Sequence, residues 1–237
     1  MTMSEVNEST FGRLINISAR QRMLSQRIGF LFMTISTALH KTEEPPENLL
    51  ALLRTAADDF VEGYRILQQG KPEDGLPHLN TLRIRNILGQ SVPHGKDGSS
   101  GRAVIERFLG EVSNGIEHLS QGKPMSDDQA DWFSRFILID LLAVLQSIVA
   151  AIETDFSEEM DRRRELRNAD AARVMQALQD IQKASKFSRM IALNAKISAD
   201  RAGPHGREFG ALTDEIKQIA NDITDSSQDI LKHLSYV

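Results

Sequence analysis

The chain has 237 residues, of which 41% are hydrophobic and 26% charged, with a net charge of −5 and no cysteine. That size and apolar content fit one large or two small packed domains, and the missing cysteines exclude disulfides, thiol chemistry and a Cys-based zinc site. Aromatic residues make up only 5%, which favours helical bundles over a β-rich fold, and the acidic balance argues against a nucleic-acid partner.

No secretory leader is expected, because the stretch from Met1 to Ser9 is polar and acidic. The first helix is predicted from about Glu5 to His40. Leu14, Ile17, Gln21, Leu24, Ile28, Leu31 and Ile35 recur in steps of three and four. This is a coiled-coil-like seam with Gln21 as its one polar member. Arg13, Arg20 and Arg27 fall seven apart beside the seam, and Arg22 lies on its other side. Guanidinium groups flanking a core need partners, because an unpaired buried charge costs several kcal/mol. Either acids on other helices, such as Asp58, Asp59 or Asp140, meet Arg20, Arg22 and Arg27, or a small anion does. The guanidinium fork suits a planar oxyanion: nitrate, nitrite or a carboxylate.

A second helix is predicted over Glu47 to Gln69, with Leu49, Leu52, Leu53, Phe60, Tyr64 and Leu67 as its apolar positions, and a third over Arg102 to Gln121. The two end alike. Gly63 corresponds to Gly115, Leu67 to Leu119, and Gly70-Lys-Pro to Gly122-Lys-Pro. This is either a shared Gly–Pro helix stop or a duplicated half-bundle. Pro72, Pro77 and Pro93 bracket a loop region, and Ser91 to Gly101 reads as loop. Gly89 to Asp97 only faintly resembles a phosphate loop: its spacing is too long and no strand precedes it.

From Asp127 the pattern stays helical to Gly203 without a strong breaker. A continuous helix there would exceed about 100 Å at 1.5 Å per residue. It is expected to bend or fray around Glu158 to Arg167, where Arg162, Arg163, Arg164 and Arg167 read as a solvated face. The apolar run from Phe136 to Ile152 is at the lower limit for a membrane span and contains Asp140, Gln146 and Ser147, so it reads as a buried helix. The histidines lack metal-ligand spacing. The acid pairs Asp58–Asp59, Asp127–Asp128 and Glu158–Glu159 are adjacent, so on a helix their side chains diverge. No catalytic residue, metal or cofactor is expected, and the chain does not read as an enzyme.

The last segment reverses direction. Val174, Leu178, Ile181, Ser185, Ser188, Ala192, Ala195 and Ala199 step by four and three. After the turn from Arg201 to Arg207, Phe209, Leu212, Ile216, Ile219, Ile223, Ser226 and Ile230 do the same. Two seams joined by Gly-Pro-X-Gly form an antiparallel hairpin. Its narrow apolar stripe is expected to dimerise into a four-helix bundle.

Two family resemblances add to this reading. Ile15-Asn-Ile-Ser-Ala-Arg-Gln-Arg-Met-Leu-Ser-Gln-Arg27 resembles the opening motif of the type IV pilus chemoreceptor (PilJ-type) N-terminal domain and of related nitrate-sensing domains. Leu53 to Gly70 is similar to its second helix, and together the two cover roughly residues 10 to 150. The resemblance implies an anion site at a dimer axis with Arg22 as the contact and Arg27 next. Arg20, Gln21, Ser25 and Gln26 of the same motif complete the candidate ligand set.

Ser188 to Ile216 resembles the hairpin tip of methyl-accepting chemotaxis proteins, through Leu193, Asn194, Ala195, Arg201, Ala202, Gly203, Gly206, Arg207, Phe209 and Glu215. That resemblance implies docking of a histidine kinase and its coupling protein at Met190, Leu193, Asn194, Arg201 and Glu215. The chain departs from the family pattern at Ser198, Pro204, Glu208 and Ala211, and it lacks paired Glu/Gln adaptation sites and transmembrane helices.

The expected fold is therefore all-α. A four-helix sensor bundle over residues 1–155 leads through a charged helical connector, 156–167, into a signalling hairpin, 168–237, with its tip at 203–206. The expected protein is a cytoplasmic homodimer without membrane insertion. It senses a small anion, nitrate or nitrite first, and signals to chemotaxis-type partners. The alternative is a ligand-free scaffold or decoy in which the arginines are structural.

Overall fold

The computed structural model describes residues 8–42, 44–89 and 99–234. Helix α1 covers Glu8–Thr42, α2 Glu47–Gln69, α3 Leu82–Gly89, α4 Gly101–Ser120 and α5 Asp127–Arg135. A π-helical segment, Phe136–Leu141, follows, then α6, Leu142–Arg201, and α7, Arg207–Leu234. Among the described residues there is no strand; Lys71 and Leu76 form an isolated antiparallel bridge. The all-α class expected from the sequence is what the structure has.

Contacts divide the chain into two units, Met1–Met160 and Asp161–Val237. In the first, the predicted α1 seam is buried at every position but Ile17, Gln21 included. Four aromatic rings, one from each of four helices, meet in its core. Phe32 of α1 lies edge-on to Phe133 of α5 at 5.2 Å, Phe60 of α2 edge-on to Phe108 of α4 at 4.9 Å, and Phe108 stacks on Phe133. Such pairs add about 0.5–1.5 kcal/mol beyond the area they bury. On α2 the sequence pattern misplaces one residue: Leu50 is buried and Leu52 faces out.

The matching helix ends of α2 and α4 have a common structural use. A Cβ on Gly63 would overlap the Gln21 amide, and one on Gly115 would overlap the Phe32 ring. Both glycines are thus recesses that receive an α1 side chain. Gly70 and Gly122 follow with φ of 75° and 74°, a left-handed backbone that glycine adopts without a Cβ penalty. The shared Gly–Pro stop is therefore real.

Helix α3 occupies ground that the sequence pattern left as loop. Thr81 starts it: its hydroxyl accepts from the Ile84 N–H at 3.3 Å, a capping contact. From α3, Arg83 reaches α6. Its guanidinium donates to Glu158 at 2.6 and 2.8 Å and also to Asp155. This pairing holds the Glu158 carboxyl below its ordinary value. The stretch 90–98, with its glycine–lysine pattern, lies outside the described residues.

The irregularity in the long C-terminal helical region is not where the charge run suggested. Helix α6 continues from Leu142 to Arg201 without a break through Glu158 to Arg167. That run has no Gly or Pro, and Asp161–Arg164 and Asp170–Arg173 pair at i,i+3. The irregularity is the π segment instead. Buried positions Phe136 and Leu141 are five apart there, the step of an i→i+5 turn.

In the second unit the hairpin turn is a 3-10 segment, Gly203–Gly206. The buried positions are Leu178, Ser185, Ala192 and Ala199 on α6, Gly206 at the end of the turn, and Gly210, Thr213, Ala220 and Ser227 on α7. Apart from Gly210 these repeat at intervals of seven. This corrects the predicted α7 seam: Phe209, Leu212, Ile216, Ile219, Ile223 and Ile230 are all exposed in the protomer. The reason is steric. At the turn the arms approach so closely that a Cβ on Gly206 would overlap the Ala199 carbonyl, and apart from Leu178, far from the turn, only small residues fit between them. Lys196 fastens the arms, donating to Asp214 at 2.7 Å and to the Gly210 carbonyl at 3.3 Å.

Candidate functional site

The arginine-rich motif lies on α1, and helical geometry distributes its members around the axis. Arg20 points toward α2 and pairs with Asp59 at 2.7 Å, so one of the acids named from sequence does meet it. Arg22 is half-buried and Arg27 exposed. Neither side chain has a hydrogen bond or ion pair among the described residues. Gln21 and Ser25 face inward. The Ser25 hydroxyl donates to the Arg22 carbonyl at 2.8 Å, and the Gln21 carbonyl oxygen is buried with no partner. Gln26 is exposed. Within one protomer the six candidates do not converge on one point.

What lies between the arginines is apolar. Met23 and Phe30 are 55% and 70% exposed, seven residues apart and so on one stripe. By helical angle Arg22 and Gln26 flank one side of this stripe, and Arg27 and Arg20 the other. The stripe is absent from the sequence expectations, although the same seven-residue spacing, on the face opposite the seam, signals it.

At the hairpin the five candidate docking residues, Met190, Leu193, Asn194, Arg201 and Glu215, are all exposed. Phe187, Ile191 and Ile197 join them on the outer surface of α6. Of the positions that depart from the family pattern, Ser198 turns its hydroxyl back to the Asn194 carbonyl at 3.1 Å, and Pro204 lies in the 3-10 turn. Glu208 and Ala211 are exposed on the first turns of α7. The apolar run flagged for membrane length lies in the helical stretch from Asp127 to Arg201, and half of its most apolar window is buried inside the protein. By length and composition only, that stretch is sufficient to cross a membrane.

No family model matches the chain, and no solved structure matches it. Curated proteins do. The chain is 38% identical over 65 residues to the methyl-accepting chemotaxis protein PscA of Pseudomonas syringae pv. tomato, which is 27% of this chain and 10% of that protein. It is 37% identical over 65 residues to PctB of Pseudomonas aeruginosa, covering 27% and 10% respectively. It is 28% identical over 114 residues to McpQ of Pseudomonas putida, covering 48% and 17%. The chain thus spans only a tenth to a sixth of the length of these relatives. Over the matched stretch it is related to the methyl-accepting chemotaxis proteins.

Proposed function

We propose that the protein is a chemoreceptor-like signalling protein that acts as a homodimer. Its first unit senses a small anion, nitrate or nitrite first, and its hairpin engages a chemotaxis-type histidine kinase or coupling protein. The observation that carries this reading is the hairpin's inversion of sizes. Apart from Leu178, small residues fill the contact between its arms, and the bulky ones face out. Exposed apolar stripes of that extent mark association surfaces, and the same stripe on a second copy completes a four-helix bundle.

The anion site follows from α1. Arg22 and Arg27 lack protein partners among the described residues, and Met23 and Phe30 between them call for cover. A second copy seated on that stripe brings the arginines of two chains together and excludes water, where a bidentate fork binds an oxyanion most strongly. Helix α6 contributes residues to both units. A packed bundle switches between discrete arrangements, so a shift of about 1–2 Å in α6 suffices for signalling.

The test is thermal unfolding of the purified chain against nitrate, nitrite, chloride, sulfate and small carboxylates at constant ionic strength, with Arg22→Ala alongside. Light scattering gives the oligomeric state. A ligand at about 100 times its Kd adds about 2.7 kcal/mol. Stabilisation by one anion that disappears in Arg22→Ala supports the sensor. The Arg20–Asp59 pair favours a second reading, a ligand-free scaffold with structural arginines. In that case no anion is selective, and a chemotaxis kinase co-purifies equally with wild type and Arg22→Ala.

A further inference from the structure

A second cationic feature of the first unit lies away from the α1 motif. Beneath α3 is an open hollow of about 560 Å³. His78, Arg85 and Arg102 line it, with Gln68, Asn80 and Ser100 as neutral hydrogen-bonding groups, and among the described residues no carboxylate lines it. In a chain with a net charge of −5 that composition is selective. Several other arginines of the same unit have acidic partners, among them Arg20 with Asp59, Arg65 with Glu62 and Arg83 with Glu158. Arg85 and Arg102 have no hydrogen bond or ion pair among the described residues.

The hollow is held in shape by backbone. Gly101 packs so tightly on α3 that a Cβ there would lie 2.6 Å from the Ile87 carbonyl, which fixes the start of α4 against α3. The Leu79 N–H donates to the Leu67 carbonyl at 2.9 Å, tying the rim to the end of α2. The floor is apolar, formed by Leu79, Ile84 and Leu88. The first turn of the 20-residue helix α4 opens at the same wall, and its dipole adds to the positive field of the two guanidinium groups.

We propose that this hollow binds a small phosphorylated molecule, its phosphate held by Arg85 and Arg102 and its organic part laid on the apolar floor. Two forks and three neutral donors suit a multiply charged tetrahedral oxyanion. The volume exceeds what inorganic phosphate fills and falls within the range of small-molecule sites. This ligand class and place both differ from the planar monoanion proposed at Arg22.

The position gives binding an outlet. Arg83 and Arg85 are two residues apart on α3 and so face nearly opposite ways. Arg85 lines the hollow, while Arg83 grips Asp155 and Glu158 of α6. A ligand that draws on α3 from one side therefore acts on α6 through the other.

The test is calorimetric titration of the full chain with pyrophosphate as probe, at constant ionic strength, beside sulfate and nitrate. Wild type, Arg85→Gln, Arg85→Lys, Arg102→Gln and Arg22→Ala are compared. Saturable pyrophosphate binding is expected. Loss of a charge-assisted hydrogen bond weakens it about tenfold to a hundredfold in the two Gln variants. Arg85→Lys, which keeps the charge but not the fork, is intermediate, and Arg22→Ala binds as wild type. No saturable binding, equal binding of sulfate, or a loss in Arg22→Ala matching that in Arg85→Gln overturns the proposal. Hydrogen exchange over residues 153–160 reads the outlet. Slowing on pyrophosphate addition in wild type but not in Arg83→Gln supports it, and no change in wild type refutes it.

Discussion

Replacing Gly63 with alanine tests the packing of α1 on α2 most directly. On propensity alone the change stabilises, because glycine inside a helix costs about 1 kcal/mol relative to alanine. The structure predicts the opposite sign. The new Cβ overlaps the amide of Gln21, which is 1% exposed. Overpacking of this kind costs about 1–3 kcal/mol, so the net effect is a loss of up to about 2 kcal/mol. For a unit of this size that lowers Tm by up to about 8 °C, at about 2–4 °C per kcal/mol. The double variant Gly63→Ala/Gln21→Ala removes both the clash and the unpartnered amide oxygen, and its Tm is expected above that of Gly63→Ala alone. Residues in contact show such non-additivity. The assay is calorimetric or circular-dichroism melting of all three variants and the wild type. A rise in Tm for Gly63→Ala alone, with additive effects in the double variant, refutes the recess.

Arg83→Gln removes the hold on Glu158. Because the folded carboxyl sits below its ordinary value of 4.5, its stabilisation is complete above that value and fades as pH falls through the folded one. The gap in denaturation midpoint between wild type and Arg83→Gln is therefore expected at neutral pH and shrinks below about pH 4.5. A gap independent of pH contradicts the charge argument. In the hairpin, Ala192→Leu overfills the seam and costs about 1–3 kcal/mol. Ile219→Ser on the outer face keeps helical content but lowers the association seen by light scattering. Arg20→Ala breaks only an exposed pair and shifts stability by less than about 1 kcal/mol; global unfolding of that variant argues for a structural arginine network instead.

Much of the architecture is legible from local chemistry. The bounds of α2 follow from Pro46 and Gly70, which stop a helix whatever surrounds it. The α1 seam follows from its three–four spacing. Helix α3 is not legible because eight residues, Leu82–Gly89, give barely two turns of periodicity between Pro77 and Pro93. The size inversion in the hairpin escaped for a different reason. Spacing identifies a stripe, but two stripes run along each arm, and only the distance between arms decides which one faces in. Sequence offers Asp58, Asp59 and Asp140 as acids for the arginines; the choice of Asp59 for Arg20 depends on how α1 rotates against α2, and no local signal carries that. The π segment is masked in sequence by a run in which nearly every residue is apolar, so a slip of one position leaves no gap in the pattern.

The π segment makes the chain unequal in its tolerance of length. It holds one residue more than an α-helical turn needs, between Phe136 and Leu141. Losing one residue from Leu138 or Ile139, both exposed, lets the turn revert to α geometry while the aromatic residues before it and the aliphatic ones after it keep their places. The same loss within α6 at Gln146 has no such slack and turns every later side chain by about 100°. Length variation in this helical stretch is thus absorbed at one place, which lies ahead of the residues that Arg83 grips.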